Sequence, residues 1–195
     1  MKEATLQRIV NRINEGKCLV ILGPQLLSAD GTGINALLNK YLIDNLGDRV
    51  RYYGEEGFLS FDEKTRNLRI QDPIEDFFKN LQPNDIYRKL AEIPFSMVIN
   101  TSPDITLNKA FEEKGIAFDY DFYHKGKAPQ EPLRTNTTFI YNIFGDYREI
   151  DSMILTFKDL YQYLFSIMGD NGLKIKARLR ETQAVLFFGF SFDKW

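Results

Sequence analysis

Residues 18 to 22, Cys18-Leu19-Val20-Ile21-Leu22, form an unbroken apolar run between a helix-patterned polar segment and a Gly-Pro turn. So short an apolar run, bounded by turn residues, predicts a strand buried on both faces, which a parallel sheet with helices on each side accommodates. The flanking segments agree. Leu6, Ile9, Val10 and Ile13 recur at i, i+3, i+4 and i+7, predicting an amphipathic helix over 3–15 that stops at Gly16. Leu37, Leu38, Tyr41, Leu42 and Leu46 restore helical spacing over 33–46, closing a strand, loop and helix unit.

The rest of the chain repeats this alternation. Strands are expected at 96–99, 118–122, 138–144 and 184–190, with a short one at 153–156, and helices at 73–80, 84–92, 104–114, 157–168 and 172–182. Asp72-Pro73 supplies an N-cap with proline at the first helical position. Arg49 to Gln71 mixes glycines, aromatics and charges and reads as a β-hairpin or an irregular insertion. With the helices after it, this stretch forms a module over about 49–92. Residues 124–137, rich in Pro, Lys, Gly and Thr, read as a surface loop. The expected architecture is a single α/β domain over 1–195 with a doubly wound, mainly parallel sheet, whose ligands gather at the carboxyl ends of the strands.

Composition narrows the function classes. A chain of 195 residues with 44% hydrophobic and 27% charged residues buries a core without disulfides or metal. Twenty-five basic residues against 27 acidic ones, with no basic block, argue against direct nucleic-acid binding. No apolar stretch is long enough to span a bilayer, and the N-terminus lacks a secretory apolar stretch, so a cytoplasmic protein is expected. The one cysteine, Cys18, sits in the first strand as a core thiol and cannot by itself make a disulfide framework or a zinc cluster.

Three strand ends carry recognisable text: Leu22-Gly23-Pro24-Gln25, then Ile99-Asn100-Thr101-Ser102-Pro103-Asp104, then Phe188-Gly189-Phe190-Ser191-Phe192-Asp193, with Ile143-Phe144-Gly145 before the last. In this order and spacing, with Leu90 to Phe95 and Leu155 to Tyr161 between them, the chain resembles the sirtuin-like family along nearly its whole length. The resemblance implies a Rossmann-type sheet with a small helical module and binding of NAD or ADP-ribose, used in the family for deacylation or dinucleotide hydrolysis, often in bacterial anti-phage defence. Deacylases of the family carry a four-cysteine zinc module. A chain with one cysteine is closer to the zinc-free bacterial branch and is expected to hold no metal.

Against that pattern the losses are unequal. The family's first strand ends in Gly-Ala-Gly, leaving backbone donors for a pyrophosphate; here Gly23 stands alone, Pro24 has no N–H and Gln25 adds a side chain. Gln25 reads as a replacement phosphate donor or as part of a plain turn. The family's asparagine falls on Ser102, which with Asp104 reads as a substitute or as the start of the next helix. Its histidine falls on Phe144, which can neither accept nor donate a proton, a loss on the order of 10² to 10⁴ in rate. The only histidine, His124, lies in the expected surface loop. Gly189 and Ser191 match a retained turn on the adenosine side, and Asp193 an acidic residue after it.

No catalytic residue is therefore expected. Gly23, Gln25, Thr101, Ser102, Asp104, Gly189 and Ser191 are the expected nucleotide contacts. The implied role is a degenerate module that binds a nucleotide or a partner within a multidomain protein. The alternatives are an active NAD glycohydrolase using Ser102, Asp104, Asn100 or His124, and an oligomerisation domain built on Phe187, Phe188, Phe190, Phe192 and Trp195, most of them expected in the sheet core. The family continues into a helix where this chain stops at Trp195, so a further domain or partner is expected there, and a homo-oligomer is a further expectation.

Overall fold

The computed structural model describes residues 3–28, 30–53, 57–61, 70–125, 137–168 and 179–191. Five strands form one parallel sheet: β1 (Cys18–Leu22), β4 (Met97–Asn100), β5 (Phe118–Phe122), β6 (Thr138–Asn142) and β7 (Ala184–Phe188), in the order β5-β6-β4-β1-β7. A separate antiparallel hairpin pairs β2 (Val50–Tyr53) with β3 (Phe58–Phe61). The helices among the described residues include α1 (Glu3–Asn14), α2 (Ile34–Leu46), α3 (Gln71–Phe78), α4 (Asp85–Ala91), α5 (Thr106–Lys114) and α6 (Phe157–Met168). The architecture is a Rossmann-like α/β fold, and of the stretch read as a hairpin or an irregular insertion, residues 50–53 and 58–61 pair as antiparallel strands.

Alternation along the strands distributes the core. Cys18, Val20, Leu22, Val98 and Ile140 face α4 and α5 through Tyr87, Leu90, Leu107 and Phe111. Leu19, Met97, Ile99, Phe139 and Tyr141, one residue out of phase, form the opposite face. A third cluster joins α2, the hairpin and α3 to Tyr147, Met153 and Leu155. The 49–92 stretch thus contributes to two clusters: α3 packs with the hairpin, whereas α4 packs on the sheet. Asn84 makes that division local, because its Oδ1 accepts the Tyr87 N–H at 3.1 Å as the α4 cap while its Nδ2 donates to the Leu26 carbonyl at 2.9 Å.

Three expectations need correction. Residues 153–156 are not a strand; they follow a 3₁₀ turn at Ile150–Ser152 and run alongside the hairpin, where the Leu59 N–H donates to the Leu155 carbonyl at 2.9 Å. The last strand is not core on both faces. It is the sheet's edge, with Val185 43%, Phe187 53% and Phe188 37% exposed, because strand order and not apolar content decides which strand is flanked. His124 is not a solvated loop residue, as its contacts below show. Of the expected loop at 124–137 and helix at 172–182, residues 126–136 and 172–178 lie outside the described residues, as do Phe192, Asp193 and Trp195.

The crossing of the β1 and β7 ends requires two glycines. Gly189 adopts φ +72°, and a Cβ there would lie 2.6 Å from Leu26 Cγ, while a Cβ on Gly23 would overlap the Gly189 carbonyl. We expect Gly189→Ala to lower the stability of the domain by about 2 kcal/mol or more in chemical denaturation. The buried tyrosines predict an alkaline limit. Burial holds the Tyr87, Tyr120 and Tyr141 phenols well above their ordinary value and raises Tyr163 from 10.0 to about 12. Since the folded state keeps these protons after the unfolded chain has lost them, stability is intact below pH 10 and falls as pH rises toward 12. Phenolate absorbance should then appear together with unfolding across that window.

Candidate functional site

The five parallel strands end on one row. Phe122, Asn142, Asn100, Leu22 and Phe188 are in register, and the ladder continues one residue further through Ile143 N–H to Asn100 carbonyl (3.0 Å), Thr101 N–H to Leu22 carbonyl (2.9 Å) and Gly23 N–H to Phe188 carbonyl (2.7 Å). Past this row the chain turns over the sheet, and a cavity of about 370 Å³ opens there. Pro24 and Gln25 line it from the β1 turn, Gly33, Asn35 and Ala36 from the start of α2, Pro103 from the β4 turn, and Phe144 from the β6 turn. Leu38 and Asn39 of α2, Tyr52, Gly57 and Phe58 of the hairpin, Met153 to Leu155, and Leu160 of α6 also line it. The hairpin therefore serves as one side of a crevice at the carboxyl edge, where an open α/β sheet places its ligands.

The β1 turn is tied to β7. Gln25 N–H donates to the Gly189 carbonyl at 3.0 Å, Leu26 N–H to the Gly23 carbonyl at 3.3 Å, and residues 24–27 form a 3₁₀ turn that begins at Pro24. Gly23, Gln25 and Gly189 are thus brought together, by backbone bonds to one another. Ser191 follows Gly189 at an exposed position.

The β4 turn is closed in the same way. Ser102 is 1% exposed; its hydroxyl, with one proton to donate, lies within hydrogen-bond distance of Asp104 Oδ2 and 3.1 Å from Asn100 Oδ1. Asp104, also 1% exposed, accepts the Thr106 N–H at 2.8 Å on Oδ1, so its carboxylate serves the first turn of α5. Thr101 donates its hydroxyl to the Leu22 carbonyl at 2.8 Å. Asn100 Nδ2 and Asn142 Nδ2 both donate to the Asp104 carbonyl, at 3.3 and 2.8 Å. Of this turn, Pro103 is the residue that faces the cavity, and the polar side chains are turned inward upon each other.

At the β6 turn, Phe144 lines the cavity and meets Tyr163 edge to face at 6.4 Å. Gly145 has φ +87° against the Ser152 backbone, a conformation and a close approach that only glycine allows. The next residue, Asp146, is fully buried and was not foreseen. It accepts Tyr120 Oη–H at 2.7 Å, the Arg148 N–H at 2.9 Å and the Arg148 guanidinium at 2.6 Å, and its own N–H donates to Ser152 Oγ at 2.9 Å. Burial and the neighbouring Asp146 carboxylate push the Tyr120 phenol up, and the bond to Asp146 pushes Arg148 up. Tyr120 also accepts from Asn142 Nδ2 at 3.2 Å. One sign was legible, a polar Asn142 closing an apolar run; the pairing of Tyr120 with Asp146 spans 26 residues and left none.

His124 is held apart from this centre. It follows β5, the edge strand farthest from β7, with its side chain 20% exposed, its ring 4.0 Å from that of Phe122, and its nitrogens 3.7 Å from Asp121 and 3.5 Å from Glu149. It is not among the described residues that line the cavity.

A search of curated proteins finds no match to the chain. A family model described as a SIR2-like domain matches residues 96–195, just over half of the 195 residues. The matched part holds the Thr101–Asp104, Phe144–Gly145 and Gly189–Ser191 turns, and the Gly23 turn is joined to it through Gly189. The chain belongs to the SIR2-like domain family.

Proposed function

We propose that this chain is a non-catalytic SIR2-like domain, a module whose crevice receives a ligand or a partner without NAD turnover. Membership of the family makes NAD chemistry the reference, and the observation that carries the proposal is the state of the groups available for it. Phe144, at the position of the family's histidine, faces the cavity as a hydrocarbon. Ser102 and Asp104, the candidate substitutes, are 1% exposed and engaged with each other and with the start of α5. Asn100, also 1% exposed, is bonded to Ser102 and to the Asp104 carbonyl. His124 lies off the cavity wall. A reaction at an anomeric carbon needs a positioned acid or base within about 3 Å of the reacting atoms, and none of these groups is presented to the crevice. The resemblance to bacterial members is the support for a setting in anti-phage defence.

The assembled protein should release no nicotinamide from NAD above the uncatalysed background. Ser102→Ala should leave that baseline unchanged while lowering stability by about 1–3 kcal/mol, since it strands a buried carboxylate oxygen. Nicotinamide release that disappears in Ser102→Ala or Asp104→Asn protein of undiminished melting temperature would defeat the proposal.

Exposed apolar surface favours a second reading, self-association. On α6, Phe165 is 74% and Met168 79% exposed, with Tyr161 59% and Leu164 44%, and Phe187 is 53% exposed on β7. Tyr161, Leu164, Phe165 and Met168, at i, i+3, i+4 and i+7, share one face of α6, and such an apolar stripe is unusual for a monomer's surface. Light scattering should give a mass above 22.7 kDa that falls to that of one chain in Phe165→Glu protein; a monomer at all concentrations removes this reading.

A further inference from the structure

The two sides of α6 meet different surroundings. On its inner side Leu160 lines the cavity and Tyr163 packs on Tyr123 and Phe144, whereas Tyr161, Leu164, Phe165 and Met168 are exposed. Their helical spacing joins the four into one stripe about 10 Å long. Phe157, one turn before Tyr161, meets Phe58 and Tyr53 of the hairpin with ring centroids 4.7 and 6.0 Å away. Tyr53 is itself exposed, so the apolar surface continues from the helix onto the hairpin.

Charge and size narrow what such a surface accepts. None of residues 160–168 is charged, and Asp159, just before them, is buried with Lys125 and the Thr156 N–H on its carboxylate. A partner of different sequence is selected, and wrong ones rejected, largely by charge. A second copy of the same helix needs none. The order of the stripe is also self-complementary. Laid antiparallel about a two-fold axis between positions 164 and 165, it sets Leu164 against the partner's Phe165 and Tyr161 against the partner's Met168, each contact made twice, as an isologous interface requires. A thioether beside an aromatic ring is a favourable pair. At roughly 200 Å² for a large side chain, the exposed fractions of Tyr53, Tyr161, Leu164, Phe165 and Met168 come to about 600 Å² per copy, on the order of 1,200 Å² for a pair, where specific stable interfaces begin.

We infer that two copies of this chain associate through α6, antiparallel across a two-fold axis, with Tyr161 meeting the partner's Met168. The inference rests on the self-association reading above and specifies its stoichiometry, face and register. Light scattering of the full chain should give the mass of two 22.7 kDa chains. Tyr161→Glu and Met168→Lys, each alone, should weaken the dimer at least about tenfold. The chain carrying both should dimerise at least about fivefold more tightly than either single variant, because the two new opposite charges then meet across the axis. Within one chain they lie seven residues, about 10 Å, apart, so the recovery is intermolecular; a parallel pairing would set like charges together and give none. Far-UV circular dichroism of all three variants should match the wild type, since both positions are exposed.

A second measurement reads the register directly. Tyr161→Cys chains mixed with Met168→Cys chains should oxidise to the mixed disulfide in preference to either homodisulfide, with the fully buried Cys18 not competing. A trimer, a dimer indifferent to both single variants, a double variant no tighter than the singles, or a predominance of homodisulfides would each overturn the inference while leaving self-association itself standing. A monomer at all concentrations removes both.

Discussion

The close crossing of Gly23 and Gly189 is the constraint on which the rest of the site depends. Two adjacent parallel strands, the first and last of the sheet in chain order, end side by side, and their turns pass so near that neither residue can carry a Cβ. The crossing uses backbone donors. Gly23 N–H goes to the Phe188 carbonyl and Gln25 N–H to the Gly189 carbonyl, which joins the N-terminal turn to the part of the chain that matches the family. A backbone N–H that closes such a contact is not available to a phosphate. The same geometry that holds the sheet edge together therefore shapes what the crevice can receive.

A second polar network does for β4, β5 and β6 what the glycines do for β1 and β7. Asn100 and Asn142 sit opposite each other in the ladder and donate to one carbonyl, that of Asp104. Ser102 and the Asp104 carboxylate close the β4 turn, and Tyr120, Asp146 and Arg148 close the β6 turn. Buried polar groups in a low-dielectric interior are stable only when paired, and pairing them fixes the backbone that carries them. The cost falls on chemistry: side chains that could touch a ligand are committed to holding loops, and Pro103 and Phe144 are the residues these turns present to the cavity. An apolar crevice on a polar foundation is the result.

Much of the fold was legible because strands and helices announce themselves through local periodicity. β1, β5 and α6 lie within a residue or two of their expected bounds, since each is a continuous or strictly periodic apolar pattern. Residues 153–156 misled because a short apolar run satisfies a strand template yet here packs against the hairpin without joining the sheet. β7 misled for a different reason. Its composition is that of a central strand, but its place at the edge follows from sheet order, which no local pattern encodes. His124 looked solvated because its sequence neighbours are polar, and Phe122, Asp121 and Glu149 come to it only through the fold.

The sequence by itself determined the class of fold, the identity of the groups at each strand end and the absence of an acid–base side chain at position 144. These are properties of residue type and local spacing, and three-dimensional packing does not alter them. Only the tertiary structure decided that Ser102 and Asp104 face each other and not the crevice, that the Gln25 N–H is taken by Gly189, and that the hairpin walls the cavity. Each of these depends on where a partner tens of residues away comes to rest. A hydrogen bond is satisfied by geometry, and residue identity states only that a donor or acceptor exists.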